Sequence, residues 1–131
     1  MRKVIFDTNF LFVPLQFKVD IFDELEALIG KFEPIILSTT IEELKKIARE
    51  KSEKNRRNAL AALELAKKCK ILKVERGSDE SYDDVILRIA KEGKYMVATN
   101  DSELRRRLRK AGITTIFLRQ KAYLQINGYA Q

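Results

Sequence analysis

Four acidic side chains stand at positions where they could share one site. Asp7 and Asp101 each follow a short apolar run, and Glu43 and Asp83 each fall in the first turns of a predicted helix. Strand ends and helix starts of this kind face one edge of a parallel sheet, so the four carboxylates are expected to converge. Carboxylate oxygens suit hard divalent cations, here Mg²⁺ or Mn²⁺. Such ions can activate water beside a phosphate, which indicates phosphodiester hydrolysis.

Two of these acids have an acidic neighbour, so the choice between neighbours depends on helix geometry. At about 100° per residue, Glu43 lies nearer the apolar stripe of its helix than Glu42 does. The same count favours Asp83 over Asp84, which is expected to face solvent. Glu42 and Asp84 therefore remain the alternatives to the chosen pair.

A purely structural role is the alternative explanation for three of the acids. Asp7, Asp83 and Asp101 all stand at predicted helix starts, where a carboxylate caps backbone N–H groups and favours the helix dipole. Taken singly, each is better explained as a cap. Taken together at strand ends, they favour a site, because converging anions are tolerated when a cation neutralises them or when some remain protonated.

The residue types that are missing narrow the chemistry further. The chain has no histidine, which excludes the usual general base and any imidazole metal site. The lone Cys69 cannot form an internal disulfide or a thiolate metal cluster. Catalysis must therefore depend on carboxylates, and a reducing cytoplasm is the expected location.

The net charge of +7 is concentrated in one segment. Its cationic residues are Arg105, Arg106, Arg107, Arg109 and Lys110. A polyanionic partner fits this segment, although a solvated surface of the thermophile type explains the charge alone equally well. A helix cannot point all five one way, so Arg105, Arg106 and Arg109 are taken as the contacts with such a partner.

Alternating strands and helices are expected to position these residues. Strands are predicted at 3–6, 35–37, 71–74, 95–98 and 113–118, and helices at about 20–29, 41–48, 53–68, 81–92 and 102–110, with Ser38–Thr40 as a helix cap. Continuous apolar strands between helices predict a three-layer α/β/α sandwich with a central five-stranded parallel sheet. Residues 1–131 are expected to form a single domain, with a core at about 1–119 and a C-terminal tail at 120–131. No apolar run approaches the roughly 20 residues of a membrane span.

Four motifs resemble those of the PIN-domain nucleases, in order, from residue 4 to about 118. They are Phe6-Asp7-Thr8-Asn9, the run 40–44 around Glu43, the run 83–87, and 95–101 followed by the arginine-rich 103–110. The last is the most specific. It looks particularly like the branch that cuts within the precursor of small-subunit ribosomal RNA.

The resemblance implies a role for each matching residue. Asp7, Glu43, Asp83 and Asp101 would be the catalytic and metal-binding residues. Thr8, Asn9 and Thr99 would support them by hydrogen bonds. The implied reaction is cleavage of single-stranded RNA that leaves 5′-phosphate and 3′-hydroxyl ends, with a homo-oligomer compatible with the family.

Two alternatives remain open at the level of function. Branches of the same family serve as ribonuclease toxins, in which case the partner would be an antitoxin, and a short single-domain chain fits them too. The other is a non-catalytic RNA-binding module whose acids are caps. Because of the arginine-rich segment after Asp101, we rank the processing branch first.

Phe10, Phe12 and Phe17 are expected in the core or a dimer contact rather than stacked on bases.

Overall fold

The computed structural model describes residues 1–128, in which helices cover both faces of one six-stranded sheet. The strands are β1 Arg2–Phe6, β2 Phe32–Leu37, β3 Lys70–Leu72, β4 Met96–Ala98, β5 Thr115–Arg119 and β6 Tyr123–Asn127. The helices are α1 Thr8–Leu11, α2 Val13–Phe17, α3 Ile21–Ile29, α4 Ser38–Ile47, α5 Glu53–Ala66, α6 Tyr82–Gly93 and α7 Ser102–Lys110. The three-layer α/β/α prediction is confirmed.

The order of the strands, β3-β2-β1-β4-β5-β6, reverses direction at the centre of the sheet. From β1 the chain adds β2 and β3 on one side, then returns to add β4 and β5 on the other, all parallel. The crossing point lies between β1 and β4, where the Asp7 N–H donates to Ala98 O at 3.0 Å. Ligand sites in such sheets form at this point, beyond the carboxyl ends of the strands.

Burial on both faces explains why the strands read as continuous apolar runs. In β1, Val4 and Phe6 join one buried cluster with the α1, α3 and α5 side chains, whereas Ile5 joins a second cluster with α6 and α7. Alternate residues point to opposite faces of a strand, so a strand between two helical layers is apolar throughout. The two layers fix the strand ends that carry the acids.

The five predicted strands are present and parallel, and the sheet has a sixth strand, β6, in the segment 120–131 that was expected to be an unpatterned tail. β6 pairs antiparallel with β5, from Arg119↔Tyr123 to Thr115↔Asn127. The turn between them places Gln120 and Lys121 at φ 53° and 57°. Hairpin turns with positive φ usually carry Asn-Gly or Asp-Gly, so the sequence gives no turn signal here. Residues 129–131 lie outside the described residues.

Helix starts follow the sequence expectation in one case and depart from it in another. Asp20 caps α3, as its side chain accepts from two backbone N–H groups. Ser38–Thr40 instead lies inside α4, whose N-cap is Leu37 without a side-chain hydrogen bond. Ser38 Oγ exchanges two hydrogen bonds with the Val74 backbone, at 2.9 and 3.0 Å, and ties α4 to the segment after β3. Within residues 1–128, every helix is too short or too polar to cross a membrane.

Candidate metal centre

Asp7 is the most deeply buried of the four acids, at 4% exposure. One carboxylate oxygen accepts the Thr8 N–H at 2.8 Å, and the other accepts the Thr99 hydroxyl at 2.7 Å. Burial raises the pKa of Asp7 from 3.8 to about 7, the Thr99 hydrogen bond opposes that rise, and Asp83 and Glu43 add to it. The charges of two predicted partners, Asp83 and Glu43, therefore act on Asp7.

Thr99 joins the two acids that follow β1 and β4. Its hydroxyl donates to Asp7 and accepts the Asp101 N–H at 3.1 Å, with Asn9 Oδ1 as a second, weaker acceptor at 3.4 Å. Asn9 Oδ1 also accepts the Asn100 N–H at 2.9 Å. Side chains from two adjacent strand ends are thus bound to each other. These contacts agree with the supporting role predicted for Asn9 and Thr99.

Glu43 is brought to the same place by α4. The Thr8 hydroxyl donates to its carboxylate, so Thr8 also has the contact expected of a supporting residue. Burial raises the pKa of Glu43, the Thr8 hydrogen bond lowers it, Asp83 raises it and Lys46 lowers it. Glu42 is exposed to solvent. The helix geometry therefore agrees with the choice of Glu43 over its neighbour.

Asp83 and Asp84 have different roles at the start of α6. Burial raises the pKa of Asp83, as do Asp101 and Asp84, while Arg107 opposes the rise. Asp84 forms a capping box with Ser81, at 3.0 and 3.1 Å, and its other oxygen pairs with Arg107 at 2.8 Å. The expectation that Asp84 simply faces solvent is therefore wrong, because both its oxygens have partners. The choice of Asp83 for the acid cluster agrees with this arrangement.

The capping explanation holds for two of the three acids to which it was applied. Asp7 is the N-cap of α1, and Asp101 is the N-cap of α7, accepting the Leu104 N–H at 2.9 Å. Asp83 caps nothing, since Ser81 is the N-cap of α6. A capping carboxylate still offers lone pairs to a cation, because each of its oxygens has two. Capping and metal binding are therefore compatible at Asp7 and Asp101.

The arginines of α7 do not act as one surface. Arg105 is half-buried, lies 4.0 Å above the Phe117 ring, and keeps a buried Nε without a hydrogen-bond partner among residues 1–128. Arg106 forms an exposed ion pair with Glu103 at 2.6 Å. Arg109 is exposed one turn beyond Arg105. The three predicted RNA contacts thus have three different environments.

Arg107 is the residue that sequence reasoning missed. It is a cation that faces the acid cluster, because it pairs with Asp84 and lowers the pKa of Asp83, as Lys46 lowers that of Glu43. That pairing depends on how α6 packs against α7, which no local pattern reveals. A signal did exist for Asp84, since Ser81-x-x-Asp84 has the spacing of a capping box.

The donor set fits a hard divalent cation. Electrostatic coupling links the acids from Asp7 to Glu43 and Asp83, and from Asp83 to Asp101, so the four predicted carboxylates share one region. No group of three described acidic, histidine or cysteine side chains is arranged as a finished ligand set. Burial, together with a smaller contribution from repulsion among the acids, raises the pKa values of Asp7, Glu43 and Asp83. A bound cation would offset both effects, and oxygen-only ligands match Mg²⁺ or Mn²⁺.

Comparison with known proteins places this arrangement in a family. Residues 4–121 match the family model described as "PIN like domain". Ribonuclease VapC4 of Methanocaldococcus jannaschii is 38% identical over 130 residues, which is 98% of each chain.

Two further similarities involve proteins whose names or titles mention RNA processing or an endonuclease. The rRNA-processing protein FCF1 of Saccharomyces cerevisiae is 32% identical over 126 residues, or 93% of this chain, but the match spans only 62% of the yeast protein. The solved structure of the PIN domain endonuclease Utp24 superposes with a TM-score of 0.81 at 30% identity, covering 97% of this chain and 92% of that one. The fold and its sequence pattern are therefore shared with these proteins.

Proposed function

The chain belongs to the PIN-domain family of ribonucleases, and from that premise we propose that it is an endoribonuclease that uses Mg²⁺ or Mn²⁺ to cleave single-stranded RNA. The observation that carries the proposal is the convergence at the β1–β4 crossing point. There, Thr99 bonds to both Asp7 and Asp101, while Asp7 is coupled to Glu43 and Asp83. An enzyme without histidine has few other routes to this reaction.

The residues proposed to hold the metal are Asp7, Glu43, Asp83 and Asp101. When bound, the cation supplies a water of lowered pKa and positive charge for the phosphate. Thr99 and Thr8 orient the carboxylates of Asp7 and Glu43 through their hydroxyl hydrogen bonds. In the reaction, a water oxygen bonds to phosphorus and the bond to the 3′-oxygen breaks. The products are a 5′-phosphate and a 3′-hydroxyl, the latter taking up a proton.

Substrate binding is assigned to α7. Arg109 is exposed, and Arg105 makes a cation–π contact with Phe117. Arg106 can give up its ion pair with Glu103 to bind a phosphate, because exposed ion pairs of this kind are weak. Arg107 lies beside Asp83 and Asp84, so we add it as a contact for the phosphate nearest the acids. Phosphate contacts of this kind make RNA affinity fall steeply with salt.

The proposed substrate is precursor ribosomal RNA. Support comes from the rRNA-processing protein FCF1 and the Utp24 endonuclease, at 32% and 30% identity over nearly the whole of this chain. A second candidate, a toxin restrained by an antitoxin, is favoured by one observation. The match to ribonuclease VapC4 extends over 130 residues and covers 98% of each chain. Growth arrest on expression, relieved by a co-expressed neighbouring gene product, supports the toxin.

Cleavage of a labelled single-stranded RNA tests the activity. Product is expected with Mg²⁺ or Mn²⁺ and none with chelator. Asp101→Asn is the informative variant, because asparagine caps a helix as well as aspartate does while losing the charge. Cleavage by Asp101→Asn at the wild-type rate would contradict the proposal. In cells, crosslinks of Asp101→Asn protein to the small-subunit precursor favour processing, and crosslinks confined to other RNAs oppose it.

A further inference from the structure

A second polar feature lies at the edge of the sheet opposite the acids. A cleft of about 1080 Å³ is formed by the start of β1, the residues just before β4 and β5, and the ends of α3, α6 and α7. Because β1, β4 and β5 are parallel, their starts share one edge, whereas Asp7 and Asp101 follow strand ends at the other. The cleft is therefore separate from the candidate metal centre.

The charge of this cleft has one sign. Its lining includes the basic residues Arg2, Lys3, Lys31, Lys91 and Lys94, and no acidic residue among those described. All four lysines are exposed, and none forms an ion pair with another residue of 1–128. Arg2 donates to Ile29 O at 3.4 Å and so is engaged at the end of α3. We refer to this group as the basic cleft.

Helix dipoles explain part of this charge but not all of it. The C-terminal ends of α3, α6 and α7 face the cleft, and each contributes roughly −0.5 of an elementary charge. Together the three ends contribute about −1.5 charges, which is less than the four full charges of the lysines. A net positive potential remains over the cleft. A polyanion is its natural ligand.

We propose that the basic cleft is a second RNA-binding site, which holds the sugar-phosphate backbone of the RNA at the far end of the sheet from the acids. The assignment of RNA as the polyanion rests on the proposed function. The five residues of β1 span roughly 17 Å. A stacked strand rises about 3.4 Å per nucleotide, so about 5 nucleotides are needed to cover that distance, and an RNA of about 3 nucleotides, roughly 10 Å long, reaches one site only. Longer RNA reaches both.

The backbone at Lys94 provides a clean variant. Lys94 ends α6 in the left-handed conformation, at φ 58° and ψ 44°, which glycine adopts without strain. Lys94→Gly therefore removes one charge from the basic cleft without weakening the helix end. Lys18 ends α2 in nearly the same conformation, at φ 54° and ψ 39°, and is not part of the cleft lining. Lys18→Gly is the matched control.

Fluorescence anisotropy with chelator present, on RNAs of about 3 and about 30 nucleotides, measures binding without cleavage. For the longer RNA, Lys94→Gly is expected to bind about threefold or more weakly than wild type at about 0.1 M salt, with a salt slope smaller by about 0.7. The short RNA can bind at α7 alone, so Lys94→Gly is expected to weaken its binding less than that of the long RNA. Lys18→Gly is expected to leave the long-to-short affinity ratio at the wild-type value.

Three results would overturn the assignment. The first is an unchanged long-to-short affinity ratio in Lys94→Gly, and the second is an equal change in Lys18→Gly. The third is displacement of the long RNA by polyglutamate as effectively as by unlabelled RNA, since that would indicate an acidic protein partner. Cleavage in Mg²⁺ is measured separately. If the wild-type protein does not cleave RNA but Lys94→Gly still loses affinity for the long RNA, the proposed nuclease activity is wrong and the proposed binding site stands.

Discussion

A few hydroxyl groups hold the carboxylates of the candidate site in place. Thr99 contacts Asp7 and the Asp101 backbone, and Thr8 contacts Glu43. Removing such a partner from a ligand commonly costs 10–100-fold in metal affinity or activity, roughly as much as many direct ligands contribute. Substitution of these threonines therefore tests the candidate site as well as substitution of the acids does.

Thr99→Val tests this orientation directly. The change keeps the shape but removes the hydrogen bond that lowers the pKa of Asp7, so we expect cleavage to fall by about 10–100-fold and its pH profile to shift to higher pH. Thr115→Val is the matched control, because the buried Thr115 hydroxyl has no hydrogen-bond partner among residues 1–128. Equal activity of both variants across the pH range would argue against the role of Thr99.

Asp7 makes the metal-free protein sensitive to pH. Its pKa in the folded protein, about 7, lies above the ordinary 3.8, so the fold favours the uncharged carboxyl. The stability this provides is complete below the ordinary pKa and is lost as the pH rises through about 7. Between about pH 5 and pH 8 the free energy of unfolding is expected to fall by about 2–3 kcal/mol.

Asp7→Asn should abolish this loss while it abolishes cleavage. Asparagine stays uncharged, so urea unfolding in chelator at about pH 8 is expected to find the variant more stable than wild type. The difference should shrink near pH 5, and Mg²⁺ should stabilise only the wild type. A variant less stable than wild type at both pH values would mean that burial does not penalise the Asp7 charge.

At the element scale, α6 positions Asp83 through its capping box. Ser81→Ala removes the cap, and we expect a loss of about 1 kcal/mol in the free energy of unfolding together with reduced cleavage as the first turn frays. Ser78→Ala, an exposed change in the preceding loop, is the control and should be neutral. Urea denaturation and cleavage assays on both variants measure the contrast. Equal stability of the two would show that another contact holds α6.

Elements were predictable where local signals exist. Asp20 and Gly30 mark the ends of α3, and the apolar runs mark β1 and β4, because caps and burial on both sheet faces leave a pattern in the sequence. β6 was not predictable, since its turn uses Gln120 and Lys121 at positive φ in place of Asn-Gly.

Some features of the candidate site were also predictable from local sequence, and others depended on tertiary packing. Helix periodicity separates Glu43 from Glu42 and Asp83 from Asp84, and in the structure Glu43 and Asp83 are the members of each pair whose pKa is raised by burial. The pairing of Arg107 with Asp84 required the packing of α6 on α7, which is a long-range property. The sequence therefore predicts which carboxylates form the site, but it does not predict that Arg107 lies beside them.

Across the whole molecule, opposite charges lie at the two ends of the parallel strands. Acids collect where parallel strands end, and the lysines of the basic cleft collect where they start. A protein of net charge +7 can thus attract RNA broadly and still present a negative pocket for a cation. The central claim is that the fold turns four distant carboxylates into one metal-binding pocket.

A pair of adjacent substitutions tests that claim most directly. Glu43→Gln and Glu42→Gln make the same chemical change one residue apart, but only Glu43 bonds to Thr8 and is coupled to Asp83. With Mn²⁺ binding followed by calorimetry and RNA cleavage by product formation, Glu43→Gln is expected to weaken both by about 100-fold, and Glu42→Gln to leave both within about twofold of wild type. Equal behaviour of the two variants would contradict the pocket.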